Sequence, residues 1–145
     1  MRRATPYIAL LGLVAAVLLV SAPAHAQQAT FEIIVVKATN DGDSMDEALQ
    51  QYAHLLKGKG YTSFSKLLST ALTLDQGKSG SVPIAGDLKA ELTYTSEING
   101  RVAFKCRILK GDALQAAVGY SVPRGGKTVV VVSGPTGYML IIEVR

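Results

Sequence analysis

The sequence predicts an α+β domain that is mostly β, with one N-terminal amphipathic helix packed on an antiparallel β-meander that forms a small sandwich or a partly open barrel. Three observations predict it. Apolar residues recur at three- and four-residue spacing over residues 44–58, the spacing changes to two after residue 61, and glycine-containing turns separate the later strand-like segments. With 145 residues, of which 48% are apolar and 18% charged, the chain suits one folded domain and excludes disorder over its whole length.

The first 26 residues have the three parts of a secretory signal peptide. Two arginines follow the first methionine, residues 8–20 form an apolar stretch, and small residues precede a cleavage point between Ala26 and Gln27. The apolar stretch has 13 residues, fewer than the about 20 that span the bilayer core. We therefore divide the chain into a signal peptide, 1–26, and a single α+β domain, 27–145.

Cleavage lowers the net charge from +4 to about +2, because two of the 15 basic side chains leave with the leader. The remaining cations are dispersed along the chain, whereas nucleic-acid binding needs a concentrated basic surface. The sequence thus predicts a periplasmic or secreted protein that binds no nucleic acid and keeps no membrane span after cleavage. No cysteine lies near the cleavage point, so lipid attachment there is not expected.

The helix and the strand before it have clear sequence patterns. Residues 31–36 are mostly apolar on both faces, which is typical of a strand buried on both sides. Ser44, with Glu47 three residues later, has the pattern of a helix capping box. Gly58 and Gly60 are expected to end the helix. Its predicted apolar stripe consists of Met45, Ala48, Leu49, Tyr52, Leu55 and Leu56.

The segment after the helix is predicted to form a strand over residues 61–74. Lys66 is the one residue that breaks the alternation of this strand, and residues 75–81 are predicted to be a polar loop. One face of the strand is predicted to carry Phe64, Leu68, Leu72 and Leu74.

Five further strands are predicted from alternating patterns between glycine-containing turns. They cover residues 88–96, 101–109, 114–122, 128–133 and 138–144, with a hairpin turn at residues 134–137. One face of the third of these strands is predicted to carry Leu114, Ala116, Val118, Tyr120 and Val122.

The register of the first hairpin follows from the side chains on its two faces. A two-residue loop would pair Tyr94 with Lys105, which mixes the core face with the solvent face. A three-residue loop at residues 98–100, with a left-handed glycine, avoids this conflict. The pairs that it predicts are Tyr94–Phe104, Leu92–Cys106, Ala90–Ile108, Glu97–Arg101 and Glu91–Arg107.

The sequence predicts no catalytic residue, no cofactor site and no metal ligand. The single cysteine excludes a disulfide framework and any cysteine-rich metal centre. The acidic residues between 40 and 47 lack the calcium-loop pattern, because Met45 stands where an oxygen ligand belongs. Residues 77–79 lack both the earlier glycine and the following helix of a phosphate-binding loop.

Four side chains are candidates for a reactive or interacting role, and each has a simple interpretation. His54 falls on the solvent face of the helix, and no serine in the sequence has a nucleophile-elbow pattern. Cys106 falls between two core positions, where a thiol is inert. Tyr61 and Tyr138, near strand ends, are the candidates for an exposed aromatic interaction surface.

Residues 60–64 (GYTSF), the leucine-rich strand after them, and the stretch from Arg124 (RGGKT) to Ile142 resemble a group of small exported bacterial proteins. Members of this group have a leader, one strand–helix unit and a β-rich remainder. The group has no assigned activity, so the resemblance implies a periplasmic location and transfers no functional residue.

These observations favour a non-enzymatic periplasmic module that binds a protein or an envelope component through a sheet edge or face. The alternatives are a small-ligand carrier with a pocket in the β-layer and, third, an enzyme built from carboxylate, lysine and tyrosine groups. An apolar cavity above roughly 300 Å³ would favour the carrier. A long uncovered edge strand would favour the binding module, and converging buried carboxylates would favour the enzyme.

The processing of the leader is directly testable. The exported protein should begin at Gln27, because small residues occupy the positions before the cleavage point. Intact-mass spectrometry of protein recovered from the periplasm should give the mass of residues 27–145. A periplasmic protein that keeps residues 1–26 would contradict the predicted cleavage.

Overall fold

The computed structural model describes residues 27–132 and 137–145. In this part of the chain two four-stranded antiparallel sheets pack face to face as an open sandwich, so the domain is mostly β, as predicted. The signal peptide at residues 1–26 and most of the predicted turn at residues 134–137 lie outside the described residues.

One sheet, which we call the helix-side sheet, has the strand order β2-β1-β8-β7. The antiparallel pairing of β1 with both β2 and β8 places the first and the last described strand side by side in the middle of this sheet. The strands are β1 (Gln28–Thr39), β2 (Ser63–Asp75), β7 (Lys127–Val132) and β8 (Gly137–Val144).

The other sheet, the meander sheet, has four consecutive strands in the order β3-β4-β5-β6. Its strands are β3 (Ser79–Ala85), β4 (Leu88–Ile98), β5 (Arg101–Lys110) and β6 (Ala113–Pro123). The predicted polar loop over residues 75–81 is wrong from Ser79 onward, where β3 begins; glycine, which disfavours strands, misled the prediction. Gly80 leaves room in this strand for two leucines of β2, since a Cβ there would lie 3.1 Å from a methyl group of Leu72 and 3.2 Å from one of Leu74.

An aromatic cluster fills the space between the sheets. The Phe31 ring lies edge-on to Tyr94 and to Phe104, with centroid separations of 6.2 and 5.1 Å. Tyr120 of β6 stacks on Phe104 at 5.4 Å. Inward-facing aliphatic side chains from all eight strands surround these rings. Burial of this apolar layer is the main favourable contribution to folding, and each aromatic pair adds about 0.5–1.5 kcal/mol.

A second apolar cluster covers part of the outer face of the helix-side sheet, so β1 is buried on both faces around Val36. Earlier in the strand that was predicted to be buried on both sides, Glu32 and Ile34 are only half-buried. The helical segment, residues 47–56, packs on this sheet and not on the meander, which corrects the prediction. The outer face of the meander carries exposed charged side chains such as Lys105, which an apolar helix stripe would desolvate. The cluster consists of Val36, Ala38, Leu49, Tyr52, Leu56, Phe64, Met139 and Ile141.

The helical segment is a 3₁₀ helix over Glu47–Tyr52 followed by one α-helical turn, α1, over Ala53–Leu56. The predicted capping box does not form. The Ser44 carbonyl accepts a hydrogen bond from the Phe64 amide at 2.9 Å, and the Ser44 amide donates to Ser63 Oγ at 3.1 Å. Pairing with β2 therefore replaces the local cap. Of the predicted apolar stripe, the buried members are Leu49, Tyr52 and Leu56, and Ala48 is exposed.

A β-bulge at Leu67 changes the faces of β2. Leu68 and Lys66 pair with consecutive residues of β1, so Leu67 is the extra residue. Because a bulge shifts the alternation by one residue, Phe64 lies on the helix side and not on the predicted face with the later leucines. The bulge also explains why Lys66 breaks the pattern in the sequence.

The β4–β5 hairpin has the predicted register over most of its length. The ion pair between Glu91 and Arg107 forms at 2.8 Å, as predicted. The apolar pairs that are confirmed are Tyr94–Phe104, Leu92–Cys106 and Ala90–Ile108.

The predicted loop of this hairpin is wrong. The turn has two residues, Asn99 and Gly100, with φ angles of 54° and 76°, which is the left-handed region that a tight hairpin turn requires. A bulge at Thr95 absorbs the difference of one residue between the turn and the inner pairs. Glu97 therefore does not face Arg101, and its ion pair forms with Arg124 at 2.6 Å.

Cys106 points into the apolar layer between the sheets, where it is 2% exposed, and burial raises the pKa of its thiol to about 11. Since the thiolate is the nucleophile, a thiol reagent at pH 8 should label the folded protein slowly and the urea-unfolded protein rapidly. The unfolded thiol ionises near pH 8.5. Stability should therefore fall as the pH rises from about 8.5 to about 11.

Neighbouring substitutions test the same face assignment. Cys106→Asp should lower the free energy of unfolding by about 3 kcal/mol or more, because it buries an unpaired carboxylate. Lys105→Asp, on the solvent face, should change it by about 0.5 kcal/mol. Rapid labelling of the folded protein, or a larger effect at Lys105 than at Cys106, would contradict the assignment.

Candidate interaction surface

β6 is the most exposed strand in the described part of the chain. Its first seven residues, 113–119, are all exposed, whereas no other described strand has more than two exposed residues in succession. Its sequence, ALQAAVGYSVP, contains no charged side chain. A strand exposed on both faces and free of charge is unusual in a folded domain, because an uncovered edge invites pairing with another chain.

The exposure follows from strand length. β6 lies at an edge of the meander sheet and pairs only with β5. After residues 124–126 the chain returns in the opposite sheet as β7, which has six residues against the eleven of β6. At about 3.3 Å per residue, β7 runs back along little more than half of β6. Val122 next to the turn is buried, and Val118 is 46% exposed.

A bulge at Gln115 divides β6 into two parts. Leu114 and Ala116 pair with the consecutive residues Leu109 and Ile108, so Gln115 is the extra residue. The predicted common face therefore begins at Ala116 and continues toward the turn. Leu114 lies on the outer face of the sheet beside Leu109, 52% exposed, which corrects the prediction for this residue.

The free backbone groups of β6 follow from strand alternation. The Tyr94 amide donates toward β3 at 3.1 Å, so every second residue of β4 bonds to β3 and the residues between bond to β5. Carried through β5, this pattern directs the N–H and C=O groups of Ala117, Gly119 and Ser121 to the free edge. Arg101 Nη2 donates to the Ser121 carbonyl at 2.7 Å. The groups of Ala117 and Gly119 have no partner among the described residues.

The other three edge strands carry features that discourage strand addition. Pro83 interrupts β3, a bulge at Leu67 distorts β2, and β7 has only six residues. β2 beyond its bulge carries one charged residue, Asp75 at its end, and its exposed side chains are mainly serine and threonine. In β6 the bulge and Pro123 lie at the two ends. We call the residues between them, 116–122, the open segment; they contain no charge, proline or bulge.

Cationic side chains of β5 lie beside the open segment on the outer face. Lys105 pairs with Gly119, and Arg107 pairs with Ala117. Arg107 is held by Glu91, whereas no carboxylate in the described residues lies within ion-pair distance of Lys105. A Cβ at Gly119 would meet no atom within 4 Å. No side chain of β6 therefore separates Lys105 from the free edge.

Tyr61 and Tyr138 do not form one surface. Tyr138 packs against the core between the sheets, while Tyr61 packs against the second apolar cluster on the helix side, and both are half-buried. The Tyr61 ring rests on Gly137, where a Cβ would overlap ring atoms. The two tyrosines therefore lie on opposite faces of the helix-side sheet, and a shared aromatic platform is excluded by their placement.

A groove of about 510 Å³ runs along the outer face of the helix-side sheet beside the helical segment. Glu32 and Glu143 lie opposite each other in this groove, and Arg145 contacts them at 3.1 and 3.6 Å. Burial raises the pKa of the Tyr52 hydroxyl, and the two glutamates raise it further. Arg145 compensates two like charges on neighbouring strands, which is a structural role.

Arg124 joins both sheets at the end of the sandwich that holds the β6–β7 turn. Its guanidinium donates to both Glu97 carboxylate oxygens at 2.6 and 3.0 Å, to the Arg145 backbone oxygen at 3.0 Å and to the Gln28 carbonyl at 2.8 Å. Hydrogen bonding to Arg124 lowers the pKa of Glu97. The Tyr94 hydroxyl is buried without a partner in the described structure, and burial raises its pKa.

Within the described ranges, no three histidine, cysteine or acidic side chains are grouped to hold a metal ion. None of the described helices is long and apolar enough to cross a membrane. Comparisons with protein-family models, curated proteins and solved structures give no match. The functional argument therefore rests on the geometry of the chain itself.

The sequence interpretation missed the open segment as a site. It assigned the alternating side chains of residues 114–122 to the core, since alternation does not reveal whether the facing sheet is long enough to cover them. The usable signal was the absence of charge over the eleven residues of β6, followed by a strand of only six.

The contact between Tyr61 and Gly137 is testable. Gly137→Ala should displace the Tyr61 ring and lower the free energy of unfolding by about 1–3 kcal/mol. Gly119→Ala is the matched control, because a Cβ there meets open space, and it should leave stability unchanged or raise it by about 0.5 kcal/mol.

A double-mutant cycle separates this contact from a general effect of the substitution. In a Tyr61→Ala background, the effect of Gly137→Ala should shrink toward that of the Gly119 control. Chemical denaturation measures all four variants. Equal effects of Gly137→Ala in both backgrounds would contradict the assigned contact.

Proposed function

We propose that this chain is a non-enzymatic periplasmic binding or envelope-assembly module that acts through the open segment of β6. The observation that carries the proposal is that this uncharged edge strand is exposed at seven successive residues, 113–119, the last four of which lie in the open segment. The periplasmic location is inferred from the leader at residues 1–26 and from the resemblance to small exported proteins.

Strand addition is the binding mode that this geometry favours. An extended partner segment that pairs with β6 would satisfy the outward N–H and C=O groups of Ala117 and Gly119. Its inward side chains would lie beside Val118 and restore the apolar cover that β7 does not provide. Backbone pairing supplies the affinity, and the side chains on the two faces supply the specificity.

The small-ligand carrier is less well supported. A carrier needs an apolar cavity of roughly 300 Å³ or more. Phe31, Tyr94 and Phe104 are fully buried and occupy the space between the sheets. The groove of about 510 Å³ beside the helical segment is lined by charged and hydroxyl-bearing side chains as well as apolar ones. This lining favours contact with solvent over storage of an apolar ligand.

Position-specific photo-crosslinking tests the proposed edge. The full chain, with its leader, is expressed with a photoreactive residue in place of Ala117 at the β6 edge. The matched control carries the same residue in place of Ala71 at the β2 edge, which is also exposed. We expect a discrete adduct from position 117 and none from position 71, because only the first position lies in the open segment.

A blocking variant completes the test. Gly119→Pro removes an outward N–H group and leaves the β5–β6 hydrogen bonds in place, so the fold should persist while the adduct is lost. A thermal melt checks the fold. Equal adducts from both positions, or an adduct that Gly119→Pro leaves intact in a folded protein, would rule out the edge as the binding site.

A further inference from the structure

We infer that the occupant of the open segment is an extended segment of a partner protein in which acidic side chains alternate with apolar ones. The inference rests on the proposed function and deepens it. It is argued from the two faces that an added strand would meet, since successive side chains of a strand point to opposite faces of a sheet.

The inner face selects apolar side chains. Along the open segment Ala116, Val118 and Tyr120 point toward the interior of the sandwich, and Val118 is 46% exposed. Tyr120 stacks on Phe104 and so belongs to the edge of the core. A partner side chain on this face would extend the core outward, which a charged group would not do without a large desolvation penalty.

The outer face selects acidic side chains. The outward positions of β5 include Arg101, Lys105 and Arg107, and the adjacent outward positions of the open segment hold only Ala117, Gly119 and Ser121. Arg107 is paired with Glu91 and Arg101 donates to Ser121, so Lys105 is the cation that these small residues leave open toward the edge. Lys105 has no carboxylate within ion-pair distance in the described structure, so its charge is uncompensated.

Arg101 demonstrates that a β5 cation reaches across β6. Its Nη2 atom lies 2.7 Å from the Ser121 carbonyl oxygen, and its Nε atom lies 3.2 Å from Ser121 Oγ. Neighbouring strands are about 4.8 Å apart, so an added strand would lie about twice that distance from β5. Lys105, with the open space of Gly119 beside it, can meet a glutamate that reaches toward it from the added strand.

Gly119 fits this interpretation because the fold itself does not require it. Its φ angle lies outside the left-handed region, no bulge occurs at its position, and a Cβ would meet no neighbouring atom. A glycine inside a strand often marks close approach of another chain. Its missing side chain keeps the path between Lys105 and the free edge open.

A second copy of the chain is a poorer occupant than an acidic partner. Pairing of two β6 strands would place the same uncharged side chains on both sides of the joint and would offer Lys105 of either copy no anion. An added strand with acidic side chains supplies that anion. Charge complementarity therefore favours the acidic segment.

Three nine-residue peptides serve as probes: alternating valine and glutamate, alternating valine and serine, and alternating valine and lysine. Fluorescence anisotropy with the domain at 0.1 M salt should show affinity falling in the order glutamate peptide, serine peptide, lysine peptide. The affinities of the glutamate and lysine peptides should differ roughly tenfold. The separation should shrink toward 1 M salt, where the Debye length falls to about 3 Å. Gly119→Pro should abolish binding of all three.

Charge reversal identifies the responsible cation. Lys105→Glu should lower the affinity for the glutamate peptide, raise the affinity for the lysine peptide and leave the affinity for the serine peptide unchanged. Lys89→Glu is the matched control, because Lys89 lies on β4 of the same sheet, two strands away from β6, and it should change the preference far less.

The possible outcomes separate the inference from the proposed function. If the three peptides bind equally and Gly119→Pro abolishes binding, the edge is confirmed and the acidic preference is wrong. If no peptide binds while position 117 still gives an adduct in cells, an extended acidic segment is not the occupant. If sedimentation shows a dimer that Gly119→Pro dissociates, the occupant is a second copy and the inference is overturned.

Discussion

The fold depends on one row of aromatic contacts that crosses the sandwich. Phe31 on the central strand β1 meets Phe104 on β5, and Phe104 meets Tyr120 on β6, with centroid separations of 5.1 and 5.4 Å. This row ties the two sheets together and fixes the end of β6 that lies near the turn. From Gly119 back to Ala113, the part of β6 farther from the turn lies outside the core, because β7 is too short to cover it. The same packing that stabilises the domain therefore determines where its surface is left uncovered.

Much of the β-structure could be predicted from local pattern, and the errors in strand face and register share one physical cause. Alternation identifies a strand and its inward face only while the period of two is unbroken. Bulges at Leu67, Thr95 and Gln115 each insert one residue, and each shifts the faces beyond it. No glycine or proline marks these three positions. The bulges arise from fitting strands to their neighbours, so a single segment does not contain the information that places them.

The capping box failed for a related reason. Ser44 and Glu47 have the local pattern of a capping box. In the fold, however, the Ser44 carbonyl accepts a hydrogen bond from Phe64, twenty residues later, and the Ser44 amide donates to the Ser63 hydroxyl. A buried tertiary contact replaces a cap worth about 1 kcal/mol. The candidate site was hidden in the same way, since the exposure of β6 depends on the length of a strand in the other sheet. Tertiary context decides both features.

The arrangement of charge explains why one edge differs from the rest. Arg124 and Arg145 each neutralise carboxylates and brace the ends of several strands, and Arg107 is held by Glu91. These cations form ion pairs within the fold. Of the two cations beside the open segment without a described carboxylate partner, Arg101 donates to Ser121, whereas Lys105 forms no described ion pair or side-chain hydrogen bond. The residue opposite Lys105 is a glycine with open space around it. An edge strand is normally protected by its own charges. Here the charge of Lys105 lies on β5, one strand behind the edge, where it leaves backbone pairing with β6 unhindered. It also favours a partner of opposite charge, so the arrangement that exposes β6 to association restricts which partners can bind.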